Sequence, residues 1–179
     1  MRSRALDLHV PAGSSPKNPV PLGFHARVRI ERGDLYGVPD VYELKLRILS
    51  VLAGRNALKE IGRQTGQTVP PSNEKDYMLI QLEILYAACG TVSGAEPYEI
   101  TEDQFVVWKD NREYEVSSLS LKFREGLIGM RLSPGSICTG WLAFELPKRK
   151  SGALLLFKYR NLAAVQRWRY VFLKLKKVA

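Results

Sequence analysis

Residues able to carry catalysis are scarce in this chain of 179 residues, which holds two histidines, His9 and His25, and two cysteines, Cys89 and Cys138. His9 falls in a Pro/Ser/Gly-rich lead-in. His25 falls opposite the apolar positions of the first strand, where an exposed imidazole is expected. Neither cysteine has a histidine near it in sequence, so no zinc site or activated thiol is indicated. The His-Glu-x-x-His, Gly-x-Ser-x-Gly, phosphate-loop and dinucleotide patterns are absent, and GDLYG at 33–37 reads as a turn. Glu96, Glu99, Glu102 and Asp103 could offer oxygens to calcium. Their spacing matches no EF-hand, and a solvated acidic loop is the simpler reading. No catalytic residue, metal or cofactor is expected.

The cysteines allow one disulfide. Cys89 closes the most apolar strand and Cys138 opens a tryptophan-bearing one, so a Cys89–Cys138 bridge between the two strands is one reading. Two free thiols buried in strands is the other.

Charge is the remaining chemical feature. The formal net charge is +9, but residues 1–145 carry 17 Lys/Arg against 18 Asp/Glu, whereas 146–179 carry ten Lys/Arg and no acid. Lys148, Arg149 and Lys150 occupy a hairpin turn, and Lys174, Lys176 and Lys177 decorate the last strand. These six are the candidate contacts for an anionic surface, worth up to about 1 kcal/mol each beside anionic lipid. The alternative reading is a nucleic-acid surface, which needs exposed aromatics beside a basic groove. Trp168 and Tyr170 stand at the right place, but their spacing is that of core residues in a final strand, so nucleic acid is the less favoured partner. Lysines on an edge strand also guard against edge-to-edge pairing.

The elements that position these residues follow from periodicity. Residues 1–21, rich in Pro, Ser, Gly and Lys, read as a flexible lead-in to one domain over 22–179. Alternating runs predict strands at FHARVRIE, VYELKLRILSVL and KDYMLIQLEILYAACG, the last central with one face buried. Between the second and third, Leu58 and Ile61, with Ala57 beside them, predict a short helix ending near Gly66. FVVWKDNREYEV predicts a hairpin turning on Lys109-Asp110-Asn111, and ICTGWLAFELP, GALLLFKYR and RWRYVFLKL predict three further strands. Eight or so strands with one short helix and no βαβ alternation predict an antiparallel β-sandwich. Trp141 and Phe144 fall on opposite faces of their strand, so one must cover an edge, a loop or the helix. No apolar run reaches the ~18 residues of a transmembrane helix, and the N-terminal residues hold no signal-peptide apolar stretch.

NPVPLG at 18–23, AGRNALKEIGRQTGQTVPPSNEKDYMLIQLEI at 53–84 and LSPGSICTGWLAFELPK at 132–148 together resemble the telokin-like, immunoglobulin-like domain of unknown function found in secreted bacterial proteins and lipoproteins. The resemblance spans about residues 18–176. Its most specific part is the spacing of Gly135, Gly140, Trp141, Phe144 and Pro147. It implies an immunoglobulin-like sandwich with a helix after the second strand. It also implies an extracytoplasmic place, secreted or lipid-anchored, with the export signal absent from this sequence. A protein or cell-envelope partner is implied, anionic lipid or wall polymer among the choices, and no catalytic residues are carried over. The expected function is a non-enzymatic binding module.

Overall fold

The computed structural model describes residues 12–32, 40–70, 74–90, 97–148, 152–160 and 168–176, with the side chains of 32, 40, 88–90, 160 and 168 also outside the description. Alternation of apolar and polar residues builds two four-stranded antiparallel sheets that face one another. The first has the order β1 (Ala26–Arg32), β2 (Asp40–Ala53), β3 (Lys75–Gly90), β8 (Ile137–Pro147). The second runs β10 (Trp168–Lys174), β9 (Ala153–Arg160), β5 (Phe105–Lys109), β6 (Arg112–Glu115). A two-residue pair, β4 (Tyr98–Glu99) with β7 (Arg131–Leu132), lies apart from both. This is the expected antiparallel, immunoglobulin-like sandwich, and the one α-helix among the described residues, α1 (Arg55–Thr65), follows the second strand.

Each sheet supplies its alternate residues to one core. Leu44, Leu46 and Ile48 of β2 meet Ile80, Leu82 and Ile84 of β3, with Phe105, Val107, Leu155 and Phe157 from the opposite sheet. Burying such side chains contributes roughly 1.5–3 kcal/mol apiece. The β5–β6 hairpin turns on Asp110 and Asn111 at φ 51° and 60°, the left-handed pair that a two-residue turn between twisted strands requires.

A second, smaller cluster sits on the outer face of the first sheet. Ala57 and Ile61 of α1 pack on Leu79, Trp141 and Ala143, with Phe123 beside them. Trp141 therefore serves the helix while Phe144 serves the main core, which settles the two-faced strand. The buried stripe of α1 is Ala57, Ile61 and Gln64, not Leu58.

Two expectations are corrected at the N-terminal side. Residues 12–21 are not a loose lead-in: the Val20 amide donates to the Phe172 carbonyl (2.8 Å), the Lys174 amide to Val20 (2.8 Å) and the Phe172 amide to Gly13 (2.9 Å). The segment straps the outer edge of β10, with Val20 buried, because an edge strand leaves alternate backbone groups unpaired. Residues 1–11, with His9, lie outside the described residues. Phe24, expected on the apolar face of β1, is 66% exposed because β1 begins at Ala26.

Candidate anion-binding site

Among the described residues, the basic side chains of the C-terminal segment do not form one patch. Lys148, at the end of β8, and Lys176, just past β10, come together at one end of the sandwich. They line a cleft of about 570 Å³ with Lys109, Asp76 and Tyr77. Its walls are the last residues of β2, β5 and β8 and the first of β3 and β9, where the two sheets part.

Lys109 was readable in sequence only as a turn residue. It follows Phe105 and Val107 on the inward side of β5, and it is buried at 5% exposure with Nζ donating to the Pro147 carbonyl at 2.9 Å. A lysine that continues an apolar alternation is the signal that would have found it. The long methylene stem packs inward while the ammonium reaches the cleft. Lys148 and Lys176 are exposed. Asp76 is the one carboxylate among the described lining residues, which leaves the cleft positive. At the rim Glu145 accepts from Lys75 (3.3 Å) and from the Tyr77 hydroxyl (3.3 Å). Burial, then the Glu145 charge, pushes the Tyr77 phenol above its ordinary pKa, so it stays a neutral donor at physiological pH.

Lys174 is half-buried on the outward side of β10, opposite Leu154, and does not line the cleft. Arg149, Lys150 and Lys177 lie outside the described residues. Lys158 is paired with Glu113 at 2.8 Å. The expectation that Tyr170 joins the core is corrected. Val171, Leu173 and Leu175 face inward, and Tyr170 stands on the other side beside Phe172, ring centroids 6.2 Å apart. Alternation separates two faces but does not say which one turns inward. The Trp168 side chain lies outside the described residues.

No Cys89–Cys138 bridge forms: Cys138 is a free, buried thiol. Although β3 and β8 are neighbours as expected, Cys138 stands opposite Ile84. Cys89 lies five residues further on, opposite Tyr42, about 16 Å along the strand, well beyond disulfide reach. The side chain of Cys89 is outside the description. Burial pushes the Cys138 thiol up to about 11, which removes thiolate reactivity. His25 is exposed, 3.5 Å from a Glu83 carboxylate that Arg47 also holds at 2.8 Å. Of the acidic group, Glu99 pairs with Arg131 at 3.5 Å, Asp103 accepts from Thr101 and lines a separate cleft with Glu102, and Glu96 is outside the described residues. Among the described residues no three metal-ligating side chains converge.

No protein-family model matches the chain, and no curated protein matches it. Among solved structures, it is similar in backbone outline to MPT63, a secreted protein from Mycobacterium tuberculosis, with a TM-score of 0.44 and 11% identity over 78% of this chain and 88% of that one.

Proposed function

We propose that the protein is a non-enzymatic, extracytoplasmic binding module of the telokin-like type whose sandwich-end cleft takes phosphate groups of an anionic envelope surface, lipid headgroup or wall polymer. The observation that carries the reading is the convergence of Lys109, Lys148 and Lys176 on one cleft whose described lining holds one carboxylate, Asp76. Two of these cations are exposed and free to approach a surface, and the third is anchored at the base by Pro147. The sequence resemblance supports the extracytoplasmic place. The non-enzymatic reading is supported by the inertness of Cys138 and by the setting of His25, in contact with a carboxylate that an arginine already neutralises.

Co-sedimentation with phosphatidylglycerol and phosphatidylcholine vesicles, and pull-down on an anionic wall polymer, test it. Binding is expected to the anionic partners only, to weaken with salt, and to fall about tenfold or more in a Lys148→Glu/Lys176→Glu double variant. Equal binding to neutral and anionic vesicles, or an unaffected double variant, overturns the reading. Steeply salt-dependent binding to DNA or RNA alone would transfer it to nucleic acid.

A further inference from the structure

A second cleft lies toward the other end of β10, where the edge of β10 meets β1 and the N-terminal strap. It encloses about 380 Å³ and is lined by Arg27, Arg169, Tyr159, Tyr170, Gly13 and Ser14, with the Val171–Phe172 segment behind them. Its two arginines come from different sheets, one from each edge of the open side. Pairing sets Arg169 opposite Tyr159 across β10 and β9, so a guanidinium and a phenol share one side of the sheet.

Among the described residues nothing compensates the charge there. No carboxylate lines the cleft among the described residues, and among them neither Arg27 nor Arg169 has an ion-pair partner. Arginines elsewhere on the first sheet are paired: Arg29 meets Glu31 at 3.3 Å and Arg47 meets Glu83 at 2.8 Å. One wall is fixed by construction. Gly13 sits at φ +90°, and a Cβ there would come within 2.8 Å of Val20 Cγ2 and 3.1 Å of Val171 Cγ1. Its carbonyl accepts from Phe172 and its amide donates to Asn18 (2.7 Å), which holds the strap in place before any ligand arrives.

We infer that this cleft binds a small organic oxyanion, a phosphate or carboxylate joined to a flat apolar body. Two guanidinium forks match the paired oxygens of such a group, the Tyr159 ring, on the same side of the sheet as Arg169, offers a flat apolar face, and the volume falls in the range of small-molecule sites. The site is independent of the lysine cleft and shares no residue with it.

Phenyl phosphate, benzoate and phenol titrated into the full isotope-labelled chain and followed by NMR provide the test. Phenyl phosphate or benzoate is expected to saturate, with amide shifts concentrated at Arg27, Arg169 and Tyr170, and phenol is expected not to bind. Whichever anion binds more tightly identifies the oxyanion as phosphate or carboxylate. Arg27→Met and Arg169→Met should each weaken binding about tenfold or more, and Lys148→Glu/Lys176→Glu should leave it unchanged. Arg169→Lys keeps the charge and the strand but loses the fork, so it should weaken binding while the native spectrum persists. Failure of both anions to saturate below about 10 mM, a range in which paired guanidinium contacts should register, overturns the inference. Folded Arg27 and Arg169 variants that bind as the parent does overturn it equally.

Discussion

Gln64 and Glu125 exchange hydrogen bonds in both directions across the gap between α1 and the loop before β7. The Gln64 Nε2 donates to the Glu125 carboxylate at 3.0 Å, and the Glu125 amide donates to Gln64 Oε1 at 3.0 Å. Gln64 is buried at 1% exposure, and its Nε2 also reaches Glu60 at 2.9 Å. Its replacement by alanine leaves the Glu125 amide without its acceptor and opens a small void. Gln64→Ala is expected to destabilise the fold by about 2 kcal/mol, read as a lower urea midpoint with an unchanged slope. A midpoint equal to the parent's would show that the exchange contributes nothing net.

The same junction responds to acid. Hydrogen bonds from Arg63 foremost, then from Gln64, hold the Glu125 carboxyl below its ordinary value of 4.5, and Arg63 does the same for Glu60. A carboxyl whose folded pKa lies below its unfolded one contributes stability that is complete above the unfolded value and is lost as pH falls through the folded one. Glu125→Gln should therefore be less stable than the parent near pH 7, and the difference should shrink below about pH 4. A gap that stays constant between pH 7 and pH 3 would exclude this origin.

Gly140 marks a close backbone crossing. A Cβ there would lie 2.8 Å from the Glu125 carbonyl oxygen and 3.0 Å from Leu127 Cγ, and the Trp141 amide donates to that same carbonyl at 2.8 Å. Gly140→Ala is expected to cost about 2 kcal/mol or more. Gly152→Ala, with no atom of the described residues within 4 Å of its added Cβ, serves as the control and should be close to neutral. Thermal unfolding of the pair distinguishes the two.

Cys138 should resist alkylation in the folded protein. Its thiol is buried and raised to about 11, so iodoacetamide at pH 8 should leave the Cys138 peptide unmodified by mass spectrometry until denaturant is added. Rapid labelling of the native chain, or a Cys138-containing disulfide in a non-reduced digest, would contradict the register of β3 and β8.

The strands and their turns were legible because alternation is a local property. Leu44, Leu46 and Ile48 announce their strand, and Asp110-Asn111 announces its hairpin. The opposed faces of Trp141 and Phe144 were legible for the same reason. Register between distant strands was not. Cys89 and Cys138 lie on neighbouring strands as expected, but the sliding position of β8 on β3 is set by the whole packed core. The lysines show the same limit. Lys148 and Lys176 share a cleft because β8 and β10 end at the same side of the sandwich, while Lys174, two residues from Lys176, faces away. Lys109 joins them from a strand whose alternation placed it inward without saying that its ammonium would surface at that end.

The strap across β10 bears on how the chain tolerates trimming. Composition alone would place the start of the folded unit near residue 22, after the Pro/Ser/Gly-rich stretch. Protein expressed from there would lose Gly13 and Val20, and with them the partners of the Phe172 and Lys174 backbone groups. A strand edge stripped in this way is a template for another chain. The shortened protein should self-associate where one begun at residue 12 or earlier does not.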